Sequence, residues 1–396
     1  MNIPTIDQLD LSGKKTLIRV DFNVPLDKTS GGVADDTRIR AAIPTIQTAI
    51  EKGAITILLS HLGRPKGKPE PKMSLAPVAP VLSKLLGKPV AFVDDCVGEK
   101  AVKTIASMKP GDVVLLENVR FYAEEEKNDE AFGKKLGALC DVYVNDAFAT
   151  AHRGHSSNSA ILKFVKTSAA GLLMRDEITY FEKALVSPTR PLAAVFGGAK
   201  ISGKIDAIKN VLGKVDKILI GGAMANTFFA AQGFGVGKSL YEADMVETAR
   251  QVMDEAASHN VKLYLPVDVV VADQLESPTT VKNAKVSEIP GDMMALDIGP
   301  ASCQAFREAL ADAKTIVWNG PMGVFESPQF AGGTQAVMQA LADSDAVTIV
   351  GGGDTDTALH QAGLFSKMSY VSTGGGAFLE LLEGKRLPGI VALEEA

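Results

Sequence analysis

Short apolar, β-branched runs recur along this chain, each followed by a cluster of glycine, asparagine, aspartate or arginine and then by a longer helical pattern. In the first half they fall at 16–20, 55–59, 113–116 and 142–144. In the second half they fall at 192–196, 217–220, 262–265, 314–318, 346–350 and 369–371. Runs of three to five residues are too short for helices and too continuous for strands with one wet face. They read as strands buried on both faces, which implies parallel sheets covered by helices. The expected fold is therefore α/β, with two doubly wound domains. In such sheets ligands bind beyond the carboxyl ends of the strands. The polar clusters sit at those ends.

The segment 171–186, GLLMRDEITYFEKALV, carries an apolar helical face and is stopped by the prolines of SPTRP. It reads as a helix joining two domains. The expected division is 1–171 with a returning tail of about 383–396, a connector at 172–187, and a second domain at 188–382. The last ten residues, LPGIVALEEA, are too apolar to hang free and are expected to dock.

A net charge of −6 argues against a general nucleic-acid binder, which needs a basic surface, but leaves room for a local cationic cleft. Three widely spaced cysteines show neither a disulfide framework nor zinc spacing. The start, MNIPTIDQLDL, lacks a basic-then-apolar signal pattern, and no apolar run approaches the ~18 residues of a membrane helix. The expectation is a cytoplasmic protein with neither nucleic-acid nor membrane partners.

Asp21, Asn23, His61, Arg64 and Arg120 follow the strands of the first half, with Arg38 in DDTRIR and Arg153 in AHRGHSS. Guanidinium forks match the paired oxygens of phosphate and carboxylate. Converged, these side chains would hold a small polyanion, with Asp21 and Asn23 meeting a substrate hydroxyl. Dispersed, they would be surface arginines paired with acids. His152 and His155 lack a third ligand at metal spacing and read as non-ligands. Glu124–Glu126 reads as a solvated helix face.

In the second half, glycine clusters end strand after strand: Gly197–Gly198, Gly221–Gly222, Gly351–Gly353 and Gly374–Gly376. Glycine lets a ligand approach the backbone closely. Helices are expected from Thr355 and from Ala377 onward, with Thr355 as an N-cap and Asp354 as a carboxylate for Mg²⁺. Lys200 and Lys204, four apart in what reads as a helix start, share one face and favour polyphosphate. The alternative is a strand, turn and helix with two solvated lysines. The segment is nearly a phosphate-binding loop, but Ile205 stands where that loop needs Ser or Thr for Mg²⁺. Gly233–Ser239 is a second near miss and reads as a loop. Glu326 is a candidate for a ribose hydroxyl. No nucleophile–base arrangement stands out. That pattern suits phosphoryl transfer, where the protein positions two substrates and neutralises charge.

The motifs RVDFNVP (19–25), TRIRAAIPTI (37–46), SHLGRP (60–65), LLENVRF (115–121), NDAFATAHRGHSS (145–157), FGGAKISGKI (196–205), WNGPMGVFE (318–326), GGGDT (351–355) and STGGGA (372–377) together resemble phosphoglycerate kinases. The resemblance spans essentially the whole chain. Gly154, where alanine is expected, is a minor departure. The resemblance implies reversible transfer of a phosphoryl group from 1,3-bisphosphoglycerate to Mg-ADP, giving 3-phosphoglycerate and Mg-ATP, in a glycolytic enzyme that is usually a monomer with a hinge. It implies that Asp21, Asn23, Arg38, His61, Arg64, Arg120 and Arg153 hold the phosphoglycerate, with Arg38 nearest the reacting carboxyl. Lys200 would follow the transferring group, and Lys204 would meet the nucleotide phosphates. Asp354 would bind the metal, Glu326 the ribose, and Asn319 and Thr355 would join the nucleotide pocket, with adenine near Gly221 and Gly222. Gly352, Gly353, Gly375 and Gly376 would offer backbone N–H groups. Two other classes compete with this expectation. One is a non-catalytic nucleotide- and phosphate-binding regulatory module. The other, an NAD-dependent dehydrogenase, needs GxGxxG after the first strand, where DFNVP stands.

Overall fold

The computed structural model describes residues 3–396. The chain divides into two compact units, one running to Thr179 and taking in Arg386–Ala396, the other Tyr180–Lys385.

The first unit holds a six-stranded sheet: β1 (Lys15–Arg19), β2 (Ile55–Leu59), β3 (Ala91–Val93), β4 (Val113–Leu116), β5 (Val142–Asn145) and β6 (Ser168–Ala170). Their order is β3-β4-β2-β1-β5-β6, and every pair is parallel. Alternate side chains of each strand feed opposite layers. Ile18, Leu58, Leu115 and Val144 pack with Ile39 and Ile46 of the helix Thr37–Glu51. Their neighbours Leu17, Ile57, Val114 and Tyr143 pack with Ile105, Phe132 and Leu136 on the other side. Burial on both faces is why these strands read as unbroken apolar runs. The C-terminal helix Pro388–Glu395 contributes Leu393 to the second layer, and the Gly389 N–H donates to the Ala151 carbonyl at 2.8 Å.

The second unit holds β7 (Leu192–Phe196), β8 (Lys217–Ile220), β9 (Lys262–Tyr264), β10 (Asp268–Ala272), β11 (Val281–Lys285), β12 (Met294–Ile298), β13 (Thr315–Asn319), β14 (Val347–Gly351) and β15 (Tyr370–Val371). Six of them form a parallel sheet in the order β15-β14-β13-β7-β8-β9. β10, β11 and β12 make a separate antiparallel sheet. Both units are parallel sheets flanked by helices, as the apolar rhythm requires.

Three details differ from the sequence reading. β3, β6 and the antiparallel sheet were not anticipated. β3 and β6 are three residues long, and β11, VKNAK, is polar and mostly exposed, so it lacks the apolar signal. The connector is an α-helix, Leu172–Phe181, that widens into a π-turn at Glu182–Val186, and the division between units falls inside the helix. The two late helices start at glycine, Gly353–Gln361 and Gly375–Leu382, two residues before the expected threonine and alanine.

Candidate functional site

Beyond the carboxyl ends of β1, β2 and β4, the first unit gathers a dense cationic cluster. Arg38, at the start of the helix Thr37–Glu51, donates from Nη1 to Asp21 Oδ2 at 2.7 Å. The other Asp21 oxygen accepts the Asn23 N–H at 3.0 Å and lies 3.9 Å from His61 Nδ1. Asn23 Oδ1 accepts the Gly63 N–H at 2.8 Å, and the Gly63 carbonyl accepts from Arg120 Nη1 at 2.9 Å. Asp21, Asn23, Arg38, His61 and Arg120 are thus linked through one stretch of loop. Burial lowers the pKa of His61 well below its usual value, and Arg19, Arg120, Arg38 and His155 add to the effect. Burial and the neighbouring Arg19 bring Arg120 down to about 10. Crowded cations of this kind store repulsion that an arriving polyanion relieves.

Beneath the cluster lies Arg19, fully buried at the end of β1. It donates to Ser157 Oγ at 2.9 Å, to His61 Nδ1 at 3.2 Å and to the Val20 carbonyl. Ser157 in turn donates from its hydroxyl and its backbone N–H to buried Glu125, at 2.6 and 2.9 Å. Glu125 is the counter-charge that makes a buried arginine tolerable.

In the second unit, loops at the carboxyl ends of β7, β8 and β13 are laced together by backbone hydrogen bonds. The Gly198 N–H donates to the Pro321 carbonyl, the Gly222 N–H to the Met322 carbonyl, and the Met224 N–H to the Gly198 carbonyl. Gly222 has φ of +68°, and a Cβ there would lie 2.5 Å from the Gly198 nitrogen. Beside these loops opens a cavity of about 660 Å³ whose walls include Gly198, Gly222, Leu296, Val324, Glu326 and Asp354. Its size and mainly apolar walls suit a small organic ligand, with the carboxylates of Glu326 and Asp354 able to meet hydroxyl groups or a cation. Asp297, also on its wall, accepts backbone N–H groups from Ile298 and Gly333, and burial pushes its pKa up to about 7.

Lys204 points back across the β7 loop. Its ammonium donates to the Asn319 carbonyl at 2.9 Å and to Asn319 Oδ1 at 2.5 Å, and burial lowers its pKa to about 8.

A sequence model of the family "Phosphoglycerate kinase" matches residues 6–385. The chain belongs to the phosphoglycerate kinase family. Phosphoglycerate kinase of Geobacter metallireducens is 57% identical over 396 residues, covering 100% of this chain and 99% of its own length. Among solved structures, phosphoglycerate kinase from Coxiella burnetii has a TM-score of 0.92 at 45% identity, with 99% of each chain covered. That from Pyrococcus horikoshii has a TM-score of 0.85 at 34% identity, covering 99% and 98%. The chain is an enzyme of this family, a phosphotransferase with a carboxyl group as acceptor; the reading as an idle binding module finds no support in these relatives.

The sequence residues assigned to phosphoglycerate divide in two. Asp21, Asn23, Arg38, His61 and Arg120 are linked through Asp21 and the Gly63 backbone. Arg153, exposed, donates to His152 Nε2 at 3.1 Å and adds its charge to the field on Arg120 and His155. Arg64 is exposed next to Gly63, with no ion pair or hydrogen bond among the described residues. Among the described residues no group of His, Cys, Asp and Glu can hold a metal through three ligands, and His155 sits buried beside Glu125.

On the nucleotide side, Gly222, Glu326 and Asp354 share the cavity wall. Lys204, Asn319, Gly320, Gly352 and Thr355 form a connected cluster next to it: the Thr355 hydroxyl accepts the Gly320 N–H at 2.9 Å, and Gly352 lies against both Asn319 and Thr355. Gly375 stands against Gly353. Four expectations need correction. Lys200 and Lys204 do not share a helical face, because the helix begins at Ile205 and both lie in the turn before it. Thr355 is not an N-cap; it sits buried in the first turn of its helix with its hydroxyl committed to Gly320. Gly221 packs under the Met322 sulfur, where a Cβ would lie 2.4 Å away, and does not line the cavity. Glu124–Glu126 is a turn whose middle residue is fully buried.

Arg19, Ser157 and Glu125 are the residues that sequence reasoning missed. The available signal was the cation itself: Arg19 closes β1 directly after the apolar Leu17 and Ile18, in the buried part of the strand.

Proposed function

We propose that the cluster of Asp21, Asn23, Arg38, His61 and Arg120, joined by Arg64 and Arg153, takes 3-phosphoglycerate or 1,3-bisphosphoglycerate, and that the second unit's cavity takes ADP or ATP. The observation that carries this reading is the meeting of Arg38, His61 and Arg120 around Asp21 and Gly63, a preorganised set of donors for a small polyanion. In this reading Arg38 neutralises the carboxyl-phosphate oxygens at the reacting end. Lys200, exposed on the loop after β7, follows the transferring phosphoryl group. Lys204 meets the nucleotide phosphates, Glu326 a ribose hydroxyl, and the adenine lies near Gly222. Gly352, Gly353, Gly375 and Gly376, at two helix starts, offer N–H groups to phosphate oxygens.

The residues present fit Mg²⁺. Asp354 is an exposed carboxylate on the cavity wall, and a magnesium ion held by one carboxylate, waters and substrate phosphates needs no further protein ligand. When bound, the ion screens phosphate charge; the positioning is left to the lysines and backbone groups named above.

Water competes for an activated phosphoryl group, so the reading also requires the two units to close on a hinge when both ligands are bound. It describes a monomeric cytoplasmic enzyme of glycolysis; the three free cysteines suit a reducing compartment. An assay coupling ATP, 3-phosphoglycerate and Mg²⁺ to formation of the acyl phosphate tests the reaction, and repeating it with Arg38→Ala and His61→Gln tests the site. Unchanged KM for 3-phosphoglycerate and unchanged kcat in both variants would remove the site assignment while leaving the activity in place.

A further inference from the structure

Two imidazole nitrogens with different surroundings decide what His61 offers to a ligand. Arg19 Nη2 lies 3.2 Å from His61 Nδ1, both side chains are buried, and a guanidinium has donors but no acceptor. His61 Nδ1 must therefore accept, and the ring proton must sit on Nε2. The other groups near the ring agree. Asp21 Oδ1, the sole carboxylate oxygen within ion-pair distance of His61 among the described residues, stands 3.9 Å from the same Nδ1, too far to draw a proton onto it. Arg38, Arg120 and His155 face the ring with positive charge or a second imidazole. Nε2 has no protein partner among the described residues.

Arg19 is itself fixed from behind. Its Nε donates to Ser157 Oγ at 2.9 Å, and the Ser157 hydroxyl donates to Glu125 Oε1 at 2.6 Å. A third bond runs to the Val20 carbonyl. A guanidinium with three fixed partners and no solvent exposure has no freedom to turn away from the histidine.

We propose that Arg19 is a positioning residue, backed by Ser157 and Glu125, that locks His61 into the tautomer carrying its proton on Nε2, so that the cationic cluster presents one neutral, directional N–H donor among its guanidinium groups. The role deepens the phosphoglycerate reading and rests on it for its ligand. The tautomer itself stands independently of any ligand. A neutral donor recognises an oxygen by direction rather than by charge, so its contribution stays constant across the range where an ordinary histidine titrates. Burial and the surrounding cations suppress protonation in the same sense.

Nitrogen NMR of the full-length protein labelled at its five histidines tests this, with His61 assigned by the signal missing from His61→Gln. The expected wild-type result is a proton on Nε2 with no titration between about pH 5 and 8. A proton on Nδ1, or an ordinary titration near the usual histidine value, would overturn the proposal from the wild-type spectrum alone. In Arg19→Gln, His61 is expected to show mixed tautomers or to begin titrating, and KM for 3-phosphoglycerate is expected to rise at least about fivefold near neutral pH, ~1 kcal/mol, with the loss partly recovered at lower pH as the ring charges. Ser157→Ala, which leaves the arginine in place but loosens it, should give a smaller shift in the same direction. An Arg19→Gln spectrum identical to wild type would also overturn the proposal. If the spectra behave as expected while KM for 3-phosphoglycerate is unmoved in every variant, His61 included, the substrate assignment fails and the tautomer lock stands.

Discussion

The Lys204 ammonium lies 2.9 Å from the Asn319 carbonyl oxygen and 2.5 Å from its side-chain oxygen, in a pocket buried enough to bring its pKa from 10.5 to about 8. The two residues are 115 apart in sequence, and the contact joins the loop after β7 to the end of β13. The lysine is charged below about pH 8 and loses its proton as pH rises through that value. If it serves the nucleotide phosphates, kcat/KM for ADP should fall above about pH 8 with a one-proton slope, since this quantity reports the free enzyme. Lys204→Arg keeps its charge and should lack that limb. A wild-type profile flat to about pH 10 would count against the role.

The glycines at the helix starts offer a cleaner separation of fold from function. A Cβ at Gly353 meets nothing within 4 Å, and one at Gly375 meets only ordinary contacts, the nearest at 3.5 Å. Gly353→Ala and Gly375→Ala should therefore keep wild-type thermal stability. If phosphate oxygens approach this backbone, each should still raise KM for the nucleotide by about tenfold, ~1.4 kcal/mol. Gly222→Ala is the contrast: its methyl would press on the Gly198 backbone, so it should lose stability first.

Glu125 is predicted to matter through stability. Its removal leaves Arg19 buried without a counter-charge, and Glu125→Ala should cost about 3–5 kcal/mol in urea unfolding. Glu125→Gln keeps a partner for the Ser157 hydroxyl and should cost less. Equal small losses in both would show that Arg19 finds its compensation elsewhere.

Asp297 predicts a pH dependence of stability. Burial raises its folded pKa from 3.8 to about 7. The native state therefore keeps a proton that the unfolded chain releases, and the stability this gives at low pH is lost as pH rises through about 7. Relative to Asp297→Asn, wild-type unfolding free energy should decline from about pH 4 to 7 and level off above. A difference that does not change with pH would refute the assignment.

The strands were legible because parallel strands buried on both faces must be apolar throughout; Leu192–Phe196 and Ile55–Leu59 need no context to be recognised. The loop residues at their ends were legible for the same reason, since Asp21, His61 and Asp354 follow directly. The polar edge strand Val281–Lys285 was not, because its pairing with β10 is a tertiary fact with no apolar trace. Glu125 was misread for a related reason. A run of three glutamates looks solvated locally, and only Ser157, itself held by Arg19 of β1, makes the middle one internal. The segment after Gly197–Gly198 looks like a helix start, which the spacing of Lys200 and Lys204 would put on one face, but the helix begins only at Ile205. The pull of Asn319 on Lys204 comes from a distant strand.

The most direct test is the turnover of Lys200→Ala in the coupled assay with saturating ATP, 3-phosphoglycerate and Mg²⁺. If Lys200 stabilises the charge of the transferring phosphoryl group, kcat should drop by ~10²-fold or more while the protein stays folded, as for other lost electrostatic stabilisers. Arg38→Ala should fall by a similar factor. A folded Lys200→Ala enzyme turning over at close to the wild-type rate would contradict the account.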